Sequence, residues 1–284
     1  SWSLFNQPLM DKFGWTKDQV ILTYSIAIFI FAFSTIFSGR LQDKFGPRIV
    51  ATIGGVLYGS GLLLASTASS LTMLYLSYGV LAGAGVGFAY VCPLSTCVKW
   101  FPEKRGFITG IAVGAFGMGS LVFKVVIQTL LDSKGVSATF FYIGIIYMVL
   151  VISGAQLLRL PPKNYSKGSS TAAKTGDETA FTVSQMMKTK AFYLLFVMYL
   201  FGCMSGLLVS GLAKDIGVQL AGLEPSVAAN AVAMIALFNA GGRLSWGTLS
   251  DKIGRLKAIF FMFVITAVSM IVMSVMSLNY FIFF

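Results

Sequence analysis

Two basic residues lie inside long apolar stretches of this 284-residue chain. Arg243 and Lys124 each occupy a run of about 20 mostly apolar residues, the length of helix that crosses a bilayer. An unpaired charge at that depth costs at least about 2.5–3.5 kcal/mol, so it usually faces a water-filled cavity or a partner of opposite sign. The planar guanidinium of an arginine can hold a carboxylate through two parallel hydrogen bonds. The two cations therefore predict a binding site for a small anion.

The positions of the acidic residues support the same prediction. All ten Asp and Glu residues lie near the ends of the apolar stretches or between them. Two intramembrane cations without intramembrane acids call for a negatively charged ligand, which a carboxylate substrate supplies. A carrier of drug cations or a proton relay built on acids would need the opposite arrangement. One alternative is that Arg243 and Lys124 extend toward water, or that Arg243 pairs with a neighbouring acid.

Two uncharged residues join this candidate site. Tyr90 follows a glycine-rich run and either donates its hydroxyl to a carboxylate or fills space between helices. Asn239 lies one helical turn before Arg243, where its amide either orients the guanidinium or touches the ligand. The chain has no histidine, and its three cysteines lack the spacing of metal ligands. We therefore predict no metal site, no cofactor and no covalent catalysis.

The composition indicates which elements must position these residues. The chain is 56% hydrophobic and 11% charged, whereas soluble domains average about 45–50% apolar and about 25% charged residues. This excludes a soluble enzyme or a nucleic-acid-binding protein and predicts an all-α, polytopic membrane protein. A capping box at Thr16–Gln19 and Pro225 in a first helical turn mark two of the helix starts. Eight complete spans are predicted at 18–38, 49–66, 71–98, 106–131, 138–158, 191–213, 225–247 and 257–277.

The basic residues predict the orientation of these spans. Connections at 39–48, 98–106, 159–190 and 248–257 together contain 15 Lys and Arg residues, and those on the opposite side contain 4. Basic residues collect in cytoplasmic loops, so the first set of connections is predicted to face the cytoplasm. The predicted location is the cytoplasmic (inner) membrane of the cell. The net charge of +11 is then explained by topology and not by a nucleic-acid partner.

The chain divides into two predicted helical bundles. Pro161 and Pro162 end one span, and a polar connection covering 160–190 follows them. The prediction is an N-terminal bundle at 1–159, a cytoplasmic linker at 160–190 and the start of a C-terminal bundle at 191–284. Glycines recurring every four residues, at 79, 83 and 87, predict close crossing of one helix by another.

An internal repeat supports this division. Gly39–Gly46 and Gly247–Gly254 share Gly, Leu, Asp, Lys and Gly in the same order, 208 residues apart. Each copy follows a span on the predicted cytoplasmic side. Parallel repeats separated by about half the protein are how one large class of transporters is built.

The repeated Gly-x-Leu-x-Asp-Lys-x-Gly segment resembles the signature loop of the major facilitator superfamily. Other stretches resemble one branch of it, the oxalate/formate antiporter-like carriers; they are Trp2–Phe5, Gly39–Pro47, Gly83–Tyr90, Lys99–Gly106 and Gly242–Leu244. Phe123, Lys124 and Cys203–Leu207 resemble enterobacterial members of that branch that handle pyruvate. The resemblance covers the whole chain. It implies a fold of two six-helix bundles, of which the chain covers helices 2–9, the end of helix 1 and the beginning of helix 10.

The resemblance also implies roles for particular residues. It places the substrate-binding arginine at Arg243 and points to Tyr90 as a further substrate contact. It implies that the two repeated loops latch the cytoplasmic ends of the bundles when the carrier opens outward. The alternative role for these loops is helix capping combined with topology. The residues of the implied latch are Gly39, Asp43, Arg48, Gly247, Asp251 and Arg255.

Taken together, the residues and the resemblance predict a secondary active transporter, and not an enzyme. Its expected substrates are small carboxylates such as pyruvate, formate or oxalate, moved by alternating access. Its expected partners are that anion, membrane lipid, and either an exchanged anion or a co-transported proton. Two other functions remain open at this stage: a carboxylate-binding membrane sensor that signals through 160–190, and a passive anion channel.

Overall fold

The computed structural model describes residues 2–162, 183–219 and 224–275. These residues form helices and contain no strand, so the predicted all-α class is correct. The chain divides into two compact units, Ser1–Tyr165 and Ser166–Phe284. The predicted linker at 160–190 lies largely outside the described residues, and the predicted bundle boundaries at 159 and 191 stay predictions.

Each of the eight predicted spans corresponds to helix. The first unit contains α1 (Ser3–Phe13), α2 (Lys17–Phe45), α3 (Pro47–Ser66), α4 (Leu71–Leu74), a π-helical segment (Tyr75–Ala82), α5 (Gly83–Trp100) and α6 (Arg105–Leu157). A 3₁₀ turn precedes α6, which contains two of the predicted spans. The second unit contains α7 (Val183–Met187), α8 (Lys190–Gln219), α9 (Pro225–Ile253) and α10 (Arg255–Val275).

Several of these helices are long and apolar enough to cross a membrane. Among the described residues, five stretches meet that condition: Lys17–Phe45, Pro47–Ser66, Leu71–Trp100, Pro102–Leu157 and Arg255–Val272. The fourth has 56 residues and is long enough for two crossings. The chain is therefore a multi-pass membrane protein.

The predicted helix starts are confirmed. The N–H of Gln19 donates to Thr16 Oγ1 at 3.4 Å, and the N–H of Thr16 donates to Gln19 Oε1 at 3.0 Å, which completes the capping box. Pro225 lies in the first turn of α9. Ser70 caps α4 in a similar way, because its hydroxyl accepts a hydrogen bond from the N–H of Met73 at 3.2 Å.

Single glycines separate consecutive helices at three places. Gly46 (φ 84°, ψ 159°) joins α2 to α3, and Gly254 (φ 89°, ψ 150°) joins α9 to α10. Gly135 (φ 73°, ψ 177°) breaks α6 between residues 105–134 and 136–157. This region of φ and ψ is essentially restricted to glycine.

The prediction that 39–48 and 248–257 are loops was wrong. Helix α2 continues to Phe45 and α9 continues to Ile253, so most of each repeated segment is helical. The apolar pattern ends where the helix leaves the membrane, but backbone hydrogen bonds continue until the glycine stops them. The residues of the repeat therefore project from the ends of helices.

The core of the first unit forms around α1. The ring of Phe5 stacks on Phe140 of α6 with centroids 4.6 Å apart, and Trp2 lies 4.3 Å from the ring of Tyr78. The predicted close crossing at the glycines is present. A Cβ at Gly83 would lie 2.7 Å from the carbonyl oxygen of Ala27, so only glycine lets α5 approach α2 this closely.

Candidate substrate-binding site

Arg243 and Asn239 form the best-defined part of the candidate site. Both lie on α9, four residues apart and therefore on one face of the helix. Nε of Arg243 donates a hydrogen bond to Oδ1 of Asn239 at 2.7 Å. Both side chains are exposed within the second unit. The structure thus brings these two predicted residues together and gives Asn239 a contact with the guanidinium.

The charge of Arg243 has no acidic partner among the described residues. An ion pair joins Lys99 to Asp43, whereas Arg243 forms no ion pair with a described residue. Asn239 is neutral, so its hydrogen bond fixes the guanidinium without cancelling the charge. The guanidinium retains its Nη1 and Nη2 groups as donors, which is the geometry that binds a carboxylate.

Lys124 lies on α6, in the part of that helix before Gly135. Its side chain is exposed within the first unit and makes no hydrogen bond or ion pair with a described residue. The preceding residue, Phe123, packs edge-on against Tyr147 with centroids 4.7 Å apart. Consecutive residues of a helix point about 100° apart, so Lys124 projects away from this aromatic contact.

A polar face beside Lys124 was missed by the sequence analysis. Gln128 and Asp132 follow Lys124 at spacings of four residues, so the three lie in one row along α6. Nε2 of Gln128 donates to Oδ1 of Asp132 at 3.1 Å. All three side chains are exposed within the first unit. The four-residue spacing of polar residues in an apolar run was the available signal.

Tyr90 lies in an aromatic environment on α5. Its ring meets Phe31 edge-on at 5.5 Å and Phe116 edge-on at 5.0 Å. It also lines a mostly apolar cavity of about 630 Å³, together with Pro93 and Phe101. These contacts account for the position of the ring by packing. The role of its hydroxyl toward a carboxylate stays a prediction.

Two of the predicted latch residues have partners within the first unit. Nζ of Lys99, in the last turn of α5, lies 3.5 Å from Oδ1 of Asp43. The alternative role considered for the repeated segments was helix capping, whereas Asp43 pairs with a lysine side chain. The difference arises because α2 continues through Asp43, whose side chain then projects beside the end of α5. Nε of Arg48 donates to Oε1 of Gln156 at 2.6 Å and so connects α3 to the end of α6.

The remaining latch residues occupy corresponding positions in the two copies of the repeat. Gly39 lies within α2 and Gly247 within α9, Asp251 is in the last turn of α9, and Arg255 begins α10. The structure describes them within their own units, and their role as a latch stays a prediction.

Buried hydrogen bonds beside the first copy of the repeat, Gly39–Gly46, were also missed by the sequence analysis. The hydroxyl of Ser38 donates to the carbonyl of Phe88 at 3.2 Å, and the amide of Gln42 donates to the hydroxyl of Ser95. Ser38 and Gln42 are both buried. These contacts hold the end of α2 against α5.

Comparison with known proteins identifies the family. The model of the Major Facilitator Superfamily matches residues 1–284. The chain is 40% identical to the uncharacterized MFS-type transporter YhjX of Escherichia coli (strain K12), over 98% of this chain and 68% of that protein. It is 34% identical to the oxalate:formate antiporter of Oxalobacter formigenes, over 94% of this chain and 63% of that protein. It is 26% identical to human (Homo sapiens) monocarboxylate transporter 7, over 55% of this chain and 30% of that protein.

These matches agree with the helices and the repeated glycine turns. Five described stretches are of membrane-spanning length, and Gly46 and Gly254 have nearly the same backbone geometry. The chain spans about two thirds of the length of the first two relatives. The chain belongs to the Major Facilitator Superfamily of transporters, on its oxalate/formate antiporter-like branch.

Proposed function

We propose that the protein is a secondary transporter that moves a small carboxylate across the cytoplasmic membrane by alternating access. The observation that carries this proposal is the exposed Arg243 on α9, held by Asn239 and not neutralised by an acid among the described residues. A fixed guanidinium in a helix that contains a predicted membrane span is a ready partner for a planar carboxylate.

The names of the relatives support this class of substrate. One relative is an oxalate:formate antiporter, and another is a monocarboxylate transporter. Oxalate, formate and pyruvate share the carboxylate that Arg243 is suited to bind. Lys124 supplies a second positive charge for the anion, and Tyr90 supplies a hydroxyl donor. The substrate of this protein is one of these small carboxylates.

The positive charge of the site also provides a coupling mechanism. An empty site keeps the charge of Arg243, and moving that charge through a low-dielectric barrier is costly. A bound carboxylate neutralises the charge and lowers the barrier to rocking of the two bundles. The loaded carrier therefore changes state more readily than the empty one, which favours exchange of one anion for another.

The repeated helix ends provide the conformational latch. Asp43 and Asp251 lie at equivalent positions of the repeat, at the ends of α2 and α9. On the side marked as cytoplasmic by its basic residues, they hold the bundles together when the carrier opens outward. No covalent chemistry is required of any of these residues.

The proposal is tested by counterflow in proteoliposomes. The full-length protein is reconstituted with unlabelled pyruvate, formate or oxalate inside, and uptake of the labelled anion is followed with and without the internal anion. We expect saturable uptake that the internal anion accelerates. The Arg243→Gln variant, which removes the charge but keeps a polar side chain, should lose this uptake.

The other functions give different results in the same assay. A channel would show flux that does not saturate and is not accelerated from the opposite side. A sensor would bind the anion without any flux. Uptake by the protein that rises with a proton gradient, but not with an internal anion, would replace exchange by proton-coupled transport. Uptake by Arg243→Gln equal to that of the unaltered protein would contradict the role of Arg243.

A further inference from the structure

The hydrogen bond between Asn239 and Arg243 uses a particular donor of the guanidinium. A guanidinium has two edges that can hold a carboxylate through parallel hydrogen bonds. One edge consists of the Nη1 and Nη2 groups at the end of the side chain. The other consists of Nε and one Nη group at its side. Nε carries a single hydrogen, and that hydrogen is donated to Oδ1 of Asn239 at 2.7 Å.

This contact leaves one edge for a bidentate ligand. With Nε engaged, a carboxylate at the side of the guanidinium would receive only one hydrogen bond. At the end of the guanidinium it receives two, from Nη1 and Nη2. The Asn239 contact also restricts rotation of the long Arg243 side chain, so less conformational entropy is lost when a ligand binds.

We infer that Asn239 is a positioning residue that makes Arg243 bind its carboxylate through the terminal edge of the guanidinium. The inference rests on the proposed function and adds the geometry of recognition at the same site. It places the substrate beyond the tip of Arg243, away from the α9 backbone. Asn239 then acts through the arginine and does not touch the anion.

The test compares the effect of Asn239 with two different cations at position 243. Asn239→Ala is made in the unaltered protein and in Arg243→Lys, whose ammonium has no edges to select between. KM and the maximal rate of carboxylate exchange are measured, together with Kd by titration. In the unaltered protein, we expect Asn239→Ala to raise KM and Kd about tenfold, equivalent to about 1.4 kcal/mol. In Arg243→Lys, we expect the same substitution to raise them less than about twofold. The maximal rate should change little. Thr248→Ala is the matched control on α9, because that hydroxyl bonds only to the carbonyl of Leu244 in its own helix, at 2.7 Å.

Other results overturn the inference. An unchanged KM in Asn239→Ala would show that the contact does not organise the site. If Asn239→Ala raised KM and Kd by the same factor in the unaltered protein and in Arg243→Lys, Asn239 would be shown to touch the substrate itself. A protein that neither binds nor exchanges a carboxylate would instead contradict the proposed function.

Asn239→Asp provides a second measurement that does not depend on binding by the lysine variant. The introduced carboxylate keeps the acceptor for Nε but neutralises the guanidinium. We expect loss of carboxylate exchange near neutral pH, because the fixed carboxylate takes the place of the substrate as the partner of the positive charge. Exchange by Asn239→Asp that is as fast as in the unaltered protein would contradict the positioning role.

Discussion

The two copies of the internal repeat share their backbone, but the residues that precede them differ in chemistry. In the first copy, Gly46 has φ 84° and ψ 159°, and its N–H donates to the carbonyl of Gln42 at 2.9 Å. In the second copy, Gly254 has φ 89° and ψ 150°, and its N–H donates to the carbonyl of Ser250 at 3.1 Å. Each glycine ends one long helix and begins the next. The repeat therefore reproduces the same helix–glycine–helix corner.

The residues one and two helical turns before these segments differ in type at the positions of the candidate site. At the 208-residue spacing of the repeat, Arg243 corresponds to Thr35 and Asn239 corresponds to Phe31. The hydroxyl of Thr35 donates to the carbonyl of Ala32 at 2.6 Å, within its own helix. The ring of Phe31 packs against Tyr90. The helix–glycine–helix corner is thus present in both copies, whereas the arginine and the asparagine that bonds to it occur only beside the second copy.

The largest effect is expected from giving the second copy the residue of the first. Arg243→Thr removes the guanidinium and its charge, so carboxylate exchange should fall at least about 100-fold, which corresponds to about 2.7 kcal/mol. Thr35→Val is the matched control in the first copy, because the hydroxyl of Thr35 is satisfied within its own helix. It should change exchange less than about twofold. Comparable losses of labelled-anion counterflow in the two variants would show that the copies are not chemically different.

The equivalence of the two corners is tested by Gly46→Ala and Gly254→Ala. A side chain at these φ and ψ values costs about 1–3 kcal/mol, so each variant should lower the free energy of unfolding by about 2 kcal/mol. The space around both glycines is open, so the cost is in the backbone and should be the same for both. The measurement is unfolding of the full-length protein in detergent micelles.

Gly206→Ala is the control for the corner variants. It lies within α8 and also has open space around its Cβ position, but it has a helical backbone. Alanine is favoured over glycine there by about 0.5–1 kcal/mol, so this variant should not destabilise the protein. A large difference between Gly46→Ala and Gly254→Ala would mean that the surroundings, and not the backbone, set the cost.

Much of the scaffold was predictable because its signals are local. The Thr16 capping box, Pro225 in a first turn and the repeated glycine segment each act within a few residues. The sequence did not predict that α2 and α9 continue through the repeated segments. The run of apolar residues indicates which part of the helix lies in the membrane, and the helix continues beyond that part. Asn239 and Arg243 were placed together for the same local reason, since four residues make one helical turn.

Contacts between distant segments could not be predicted in the same way. Arg48 bonds to Gln156, 108 residues away, and Asp43 pairs with Lys99, 56 residues away. Such partners are chosen by how the helices pack, and no spacing in the sequence records that choice. The row through Lys124 and Gln128 was accessible in principle, but a single glutamine in an apolar stretch carries little weight until its face of the helix is known.

An intermediate effect is expected at the other intramembrane cation, which lies in the unit of the first copy but outside the repeat. Lys124→Gln removes a positive charge that no described acid neutralises, so KM for the carboxylate should rise about tenfold, or about 1.4 kcal/mol. Lys134→Gln is the control. Its ammonium lies on the same helix near the hydroxyl of Tyr142, at 3.2 Å, in the predicted outer connection. Equal KM values for the two variants would place Lys124 outside the transport pathway.

The smallest effect is expected at the aspartates that the two copies share. Asp43→Asn and Asp251→Asn should each lower the maximal exchange rate about threefold, roughly 0.6 kcal/mol, without raising KM, because a latch changes the rate of rocking and not the binding of substrate. Lys99→Gln separates this role from the ion pair itself. The side chains of Lys99 and Asp43 are 46% and 73% exposed, and such a surface pair contributes about 0–1 kcal/mol. If Lys99→Gln slows exchange as much as Asp43→Asn does, the pair within the first unit explains the effect. If only the aspartate variants slow exchange, the shared carboxylate acts in both copies beyond its local partner.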